Sequence, residues 1–286
     1  MRRLIVNADD FGLTPGVNRA IMQAHAEGIV TSATLMANSP AFDNAVSLTK
    51  SQTHLGVGCH VVLVDGDPLL PARNVRSLVS SGSKRFGDSL PAFAVGVTNG
   101  RIDPAQIEAE ASAQMRKLQS AGIAISHVDT HKHTHVLPQV LRPLLRAARV
   151  CGVRSVRNPF ESLPISMLRG YAKLWKQYGM VKLIGLLSGR FRDEVDKSGM
   201  MTTHGSIGIA ATGFMDEVLL RRMIDALPEG TWELVCHPGY NDTDLKAVRT
   251  RLHESRAQEL RLLTSQNARE MLVRSGIQLI SYRDLG

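Results

Sequence analysis

Short β-rich runs alternate with helical patterns from one end of this chain to the other, and no other feature constrains its fold so strongly. "RLIVNA" reads as a strand, after which Thr14 and Pro15 form an N-cap and first-turn pair for a helix through about Glu27. "TSATLMA" is a second strand, followed by a short helix from about Ala41. "LGVGCHVVL" is a third, with Gly56 and Gly58 allowing close backbone approach. Residues 64–101 lack a clear period and are rich in Gly, Ser and Pro, which predicts a long loop. Asp103 and Pro104 open a strong helix that Gly122 closes. "IAISHVDTH" then reads as a strand, "QVLRPLLRAARVCG" as a helix and "VRSVR" as a strand. Beyond residue 215, "DEVLLRRMIDAL" is helical and "TWELVCHP" a strand. "HESRAQELRLLTSQNAREMLVRSG" reads as one long helix and "IQLISY" as the closing strand. Such an order predicts an α/β fold with a parallel sheet covered by helices, in a single barrel-like domain over residues 1–286.

Composition narrows the function classes. The 34 Lys and Arg outnumber the 26 Asp and Glu, a formal net charge of +8 that favours anionic partners. Yet only 5% of residues are aromatic, and no basic cluster interleaved with aromatics appears, so no nucleic-acid partner is expected. Cys59, Cys151 and Cys236 have unrelated spacing and make neither a disulfide framework nor a zinc knuckle, which fits a reducing compartment. Without a secretory pattern or a long apolar run, the expected location is cytoplasmic, with or without peripheral contact at the inner face of a membrane.

One stretch stands apart. Residues 165–192, "ISMLRGYAKLWKQYGMVKLIGLLSGRFR", carry six basic residues and no acidic one. Leu168, Tyr171, Trp175 and Tyr178 recur at helical steps, while Arg169, Lys173 and Lys176 fall on another side. The plain reading is an amphipathic helix packed on the domain. The sharper one is a helix or lid lying against lipid or a greasy substrate. Gly170, Gly179 and Gly185 argue against one continuous helix.

Four strand ends carry polar residues that packing does not require: "NADDFG", the Cys59-His60 pair, "SHVDTHKHTHVLP" and "CHPGY". In a parallel barrel these ends converge on one face. Asp9 and Asp10 could simply cap a turn, and His60 or His237 alone could be a core histidine. The four histidines in nine residues are harder to dismiss. Along a strand His127, Asp129 and His131 share one face, and burying them without a charge partner is costly. Imidazole and carboxylate together suit a borderline divalent ion: zinc, nickel or cobalt, and less comfortably magnesium. A metal held by one carboxylate and two imidazoles activates water and polarises a carbonyl. A neighbouring carboxylate off the metal can act as base, and a histidine across the site as acid.

These motifs, in this order, resemble the YdjC-like carbohydrate deacetylases, relatives of the chitooligosaccharide deacetylases. The resemblance covers nearly the whole chain. It implies a distorted, TIM-like and polysaccharide-deacetylase-like β/α barrel that removes N-acetyl groups from sugars with a divalent metal. Carried over by motif, Asp10, His60 and His131 are the metal ligands, Asp9 the general base and His237 the general acid. His127, Asp129 and His135 match the same motif, in roles that orient the ligands or meet substrate. An amphipathic insert at about 158–212, with "NPFESLP" and "GMMTTHGSIGI", is similar to the hopanoid-biosynthesis-associated (HpnK) branch. That branch implies a glycolipid substrate, N-acetylglucosaminyl bacteriohopanetetrol. A soluble amino sugar such as a chitooligosaccharide is the enzymatic alternative, and other metal hydrolases also use His-x-His pairs such as His131 and His133. The non-enzyme alternative is a lipid- or membrane-surface-binding protein, and the insert could equally form a homodimer contact.

Overall fold

A computed structural model describes residues 1–80, 82–161 and 164–285; Ser162 and Leu163 of "NPFESLP" and the Leu168 side chain lie outside the described residues. The strands are β1 (Arg2–Phe11), β2 (Ser32–Leu35), β3 (Gly56–Val61), β4 (Val128–Thr130), β5 (Gly205–Ile207), β6 (Gly230–Cys236) and β7 (Ile277–Leu279). They form one parallel sheet in the order β4-β3-β2-β1-β6-β5. β1 is its spine. Arg2 to Ala8 pair with Gly230 to Cys236, while on the other side Arg2 to Leu4 meet β7 and Asn7 to Phe11 meet β2.

The sheet curls, and among the described residues its outer strands β4 and β5 are joined only by single bridges through residues 155–161. There Val128 N–H donates to Ser155 O, Arg157 N–H to Val128 O, and Ser206 N–H to Phe160 O. "VRSVR" is therefore not a ladder strand, because isolated bridges at Ser155 and Val156 are all the pairing it makes among the described residues.

The helices are α1 (Pro15–Ala26), α2 (Phe42–Thr49), α3 (Leu90–Thr98), α4 (Pro104–Ser120), α5 (Pro138–Val150), α6 (Trp175–Ile184), α7 (Ser188–Ser198), α8 (Glu217–Asp225), α9 (Thr243–Ala247), α10 (Glu254–Leu263) and α11 (Gln266–Arg274). Thr14 caps α1 and Asp103 caps α4 as their sequences require. Two expectations fail for local reasons. The predicted loop over 64–101 contains a 3₁₀ turn (Ala72–Asn74) and α3, which "LPAFAVGVT" conceals because an apolar helix has no polar face to mark its period. The predicted long C-terminal helix is α10 and α11. Thr264 Oγ1 bonds back to Leu260 O, and Ser265 Oγ accepts from Ala268 N–H to start the second helix.

Strand alternation divides the molecule into two chemistries. Leu4, Val6 and Ala8 of β1, with Val57, Cys59 and Val61 of β3 and Trp232, Leu234 and Cys236 of β6, join the main apolar core under the helices. The residues between them, Asn7, Asp9, Ser32, Thr34, His60, Asp129 and Glu233, are buried together on the concave side. Gly56 and Gly58 keep that side open. A Cβ at Gly58 would meet the His127 ring at 2.5 Å, and that ring is stacked on Tyr282 with centroids 3.6 Å apart. Gly58→Ala is accordingly expected to destabilise the protein by about 1–3 kcal/mol through overpacking, read as a lower urea midpoint with an unchanged slope.

Candidate metal centre and active site

β1 ends in Asp9 and Asp10, and its pairing with β2 is interrupted between Ala8 and Phe11. Asp10 takes φ +65°, a left-handed conformation that costs a non-glycine residue energy and is kept only where surroundings enforce it. The kink sends the two carboxylates to different partners.

Asp9 continues the inward alternation and meets Arg157. The guanidinium grips it at both oxygens, Nη1 to Oδ2 at 2.8 Å and Nη2 to Oδ1 at 2.6 Å. The same cation reaches Asp129 Oδ2 at 2.5 Å and Glu233 Oε1 at 2.7 Å, all four side chains being buried. Asn7 Nδ2 and Thr34 Oγ1 also donate to Asp9 Oδ1. Burial alone would raise the Asp9 pKa, but Arg157, with His60 and His237, holds it far below the usual carboxylate range.

Asp10 turns instead toward His60, His131 and Arg256. Its Oδ1 lies 3.6 Å from His60 Nε2 and 3.3 Å from His131 Nδ1. Its Oδ2 accepts from the buried Arg256 guanidinium. The three donor atoms of Asp10, His60 and His131 lie within 4.8 Å of one another. Tetrahedral ligands at zinc-like bond lengths are about 3.4 Å apart, so this donor set fits a divalent cation. His60 is prepared for that role, because its Nδ1 is taken by Asp129 Oδ1 at 2.7 Å and only Nε2 faces Asp10. Burial would lower the His60 pKa, yet Asp129, Asp9 and Asp10 raise it to about 9, so the site pulls positive charge toward this ring. A second close group, Asp9, His60 and Asp129, already surrounds the Arg157 cation and so has its charge partner in place.

His237 approaches from the end of β6, with Nε2 4.0 Å from Asp9 Oδ2. Its backbone N–H donates to Glu259 Oε2 at 2.6 Å. Desolvation lowers its pKa to about 4, with Arg256 and Arg157 adding to the effect against Asp9 and Asp10. α10 thus supplies two clamps one turn apart, Arg256 on Asp10 and Glu259 on the His237 backbone.

The rest of the histidine cluster behaves differently from a single ligating strand. β4 stops at Thr130, and Lys132 and His133 take left-handed φ values of +55° and +53°, so His131 reaches Asp10 from a tight turn. His127, Asp129 and His131 therefore do not share one metal-facing edge. His127 stacks on Tyr282 and bonds Ser126, away from the Asp10 group. Asp129 links His60 to Arg157. His135 joins Thr130 Oγ1 to Arg157 O and thereby braces the turn against the bridging segment. His127 and His135 are held well below the normal imidazole pKa, first by burial, and His133 is lowered to about 3.

Sequence reasoning missed Arg157, Glu233, Arg256 and Glu259. The available signal was indirect: more acids were assigned to one strand-end cluster than a single metal could neutralise.

The chain matches the profile of the YdjC-like protein family over residues 3–274. A carbohydrate deacetylase of Brevibacillus brevis is 33% identical over 287 residues, covering 99% of this chain and all of that one. One from Geobacillus stearothermophilus is 33% identical over 286 residues, covering 99% and 98%. Among solved structures, a protein of Enterococcus faecalis V583 with a suggested role in cellobiose-phosphate cleavage aligns with TM-score 0.76 and 26% identity over 98% of this chain and 97% of that one. A lactam utilization protein of Thermus thermophilus shares the fold alone, with TM-score 0.50 and 16% identity over 98% and 99% of the two chains.

Because Arg157 answers three buried carboxylates, Arg157→Met is expected to destabilise the protein by about 3–5 kcal/mol. Equilibrium urea unfolding reads this, and a change below about 1 kcal/mol would contradict the central place of that cation.

Proposed function

The chain belongs to the YdjC-like family, and on that premise we propose that it is a metal-dependent hydrolase removing the N-acetyl group of an amino sugar. The observation that carries the reading is the Asp10, His60 and His131 donor set with Asp9 and His237 standing beside it. The curated relatives named as carbohydrate deacetylases support the same class of reaction.

Asp10 Oδ1, His60 Nε2 and His131 Nδ1 would hold the ion, with zinc first among the candidates. A divalent ion there supplies an acidified water and an electrophilic pull on the acetyl carbonyl. Asp9 Oδ2 is the proton acceptor for the attacking water, because it accepts only from Arg157 Nη1 while Oδ1 already takes Asn7, Thr34 and Arg157 Nη2. Arg157 fixes this carboxylate in one orientation and keeps it ionised. His237, whose ring is neutral with a pKa of about 4, has Nε2 4.0 Å from Asp9 Oδ2 and so is placed to receive the water's proton from Asp9 and pass it to the departing sugar amine. Glu259 holds the His237 backbone, so the ring approaches from a fixed direction.

For the substrate, the reading extends to N-acetylglucosaminyl bacteriohopanetetrol. The motifs shared with the hopanoid-associated branch support it, together with the basic, apolar insert over 158–212. A sugar on such a tail resides in a bilayer, so contact with a membrane surface comes with this choice.

The test combines metal analysis of the purified protein with acetate release from N-acetylated sugars and from the glycolipid. His131→Ala is expected to lose most metal and most activity while its circular dichroism stays native. Asp9→Asn should retain metal yet lose turnover by a factor on the order of 10²–10⁴. Equal loss of metal from Asp9→Asn and Asp10→Asn would overturn the division between base and ligand.

A further inference from the structure

α6, with the 3₁₀ turn Gly185–Leu187 that extends it, is apolar on two sides but covered by protein on only one. Leu174 and Tyr178 are buried, and Val181 and Ile184 half-buried, against the domain. On the opposite side Trp175, Met180, Leu183 and Leu186 are 52%, 55%, 63% and 79% exposed. At 3.6 residues per turn these four occupy an arc of about 140°. A helix facing water carries mostly polar residues along such an arc, whereas here Lys176 is the sole charged side chain among four large exposed apolar ones, so this face lacks its covering. Ile165, also exposed, precedes it in the same insert.

The surrounding charge identifies what that covering would be. Arg169, Lys173, Lys176, Lys182, Arg190 and Arg192 are all exposed, and residues 165–192 hold no acid. We propose that this face docks on an anionic bilayer surface, with Trp175, Leu183 and Leu186 entering the headgroup boundary and Lys173 and Lys176 meeting lipid phosphates. A second copy is the poorer occupant. A two-fold contact sets the patch against itself and brings two groups of six cations together, with no acid within residues 165–192 to separate them.

Position links the patch to the catalytic rim. Glu161, which Lys182 faces, accepts N–H bonds from Gly208 at 3.1 Å and Ala210 at 2.8 Å. The Gln177 amide meets Ala210 O and the Arg251 guanidinium. α6 is therefore seated on the loop leaving the C-terminal end of β5, the end of the sheet where Asp9, Asp10 and His60 stand. Docking there brings the rim to the lipid surface. This deepens the reading of a bilayer-borne substrate and rests on it for its purpose, while the docking itself is measured without turnover.

The full chain has two tryptophans, Trp175 exposed and Trp232 at 6% exposure, so its fluorescence reports on the patch. Vesicles of phosphatidylcholine with phosphatidylglycerol should cosediment with the protein and shift its emission to the blue, and vesicles of phosphatidylcholine alone should do so far less. The double variant Leu183→Glu with Leu186→Glu should lower partitioning about tenfold or more and leave hydrolysis of a soluble N-acetylated sugar unchanged. Lys173→Glu with Lys176→Glu should abolish the preference for the anionic vesicles. Absence of wild-type binding to either vesicle, or unchanged partitioning in both variants, would overturn the proposal. So would a dimer in sedimentation velocity that Leu186→Glu dissolves, because the face would then belong to a second copy. Vesicle binding without any acetate release would uphold the docking and count against the proposed reaction.

Discussion

A single buried guanidinium governs the inside of the curled sheet. Arg157 pairs with Asp9, Asp129 and Glu233. Buried ion pairs are seldom stabilising against an apolar alternative, because desolvation offsets much of the attraction. Here the arrangement does something an apolar core could not. Three carboxylates outnumber one cation, and the surplus is expressed at the edges of the network. The Tyr282 hydroxyl donates to Glu233, whose pKa burial raises despite Arg157. His60 responds with a pKa raised to about 9. The excess negative charge thus faces the Asp10 group, where a divalent cation would balance it. Sheet stability and site chemistry are parts of one electrostatic problem.

The alternation of the strands makes that possible. In β1, Leu4, Val6 and Ala8 feed the apolar layer under the helices while Asn7 and Asp9 project to the concave side. β3 repeats the scheme with Val57, Cys59 and Val61 outward and His60 inward, and uses Gly56 and Gly58 as gaps into which Ser32, Ser126 and the His127 ring fit. The helices therefore carry the hydrophobic burden, and the concave side is free to hold charges. Covering helices also reach back to the strand ends: α1 through Asn18, which accepts from Gly12 N–H, α4 through Gln114, which accepts from Val62 N–H, and α10 through Arg256 and Glu259.

Elements with a strong period or a clear cap were legible in the sequence: α1 behind Thr14, α4 behind Asp103, and the strands that end in "NADD", "GCH" and "CHP". So was the convergence of the four polar segments at the strand ends, which needs only topology, whereas the choice of Asp10, His60 and His131 among them came from the family resemblance. What stayed hidden depends on tertiary detail. Nothing local distinguishes Arg157 from the neighbouring Arg154, and only the fold decides which one enters the sheet. Arg256 and Glu259 look like ordinary charged positions on a helix. The left-handed pair Lys132 and His133 turned an apparent ligating strand into a turn, with His135 as its brace. α3 was invisible because it has no polar stripe, and the boundary between α10 and α11 rests on two hydroxyls.

The spine position of β1 has a consequence for how the chain assembles during synthesis. β1 is made before the other strands of this sheet, and β6 and β7, which flank it, follow more than two hundred residues later. At typical translation speeds that interval lasts roughly 10–45 s. For the larger part of it Asp9 has no Arg157, and until its end one edge of β1 has no neighbour, so the nascent sheet first grows from β2 toward β4. The centre is sealed last, by strands from the C-terminal portion. Loss of the final strands would leave β1 open as an edge for another chain to join.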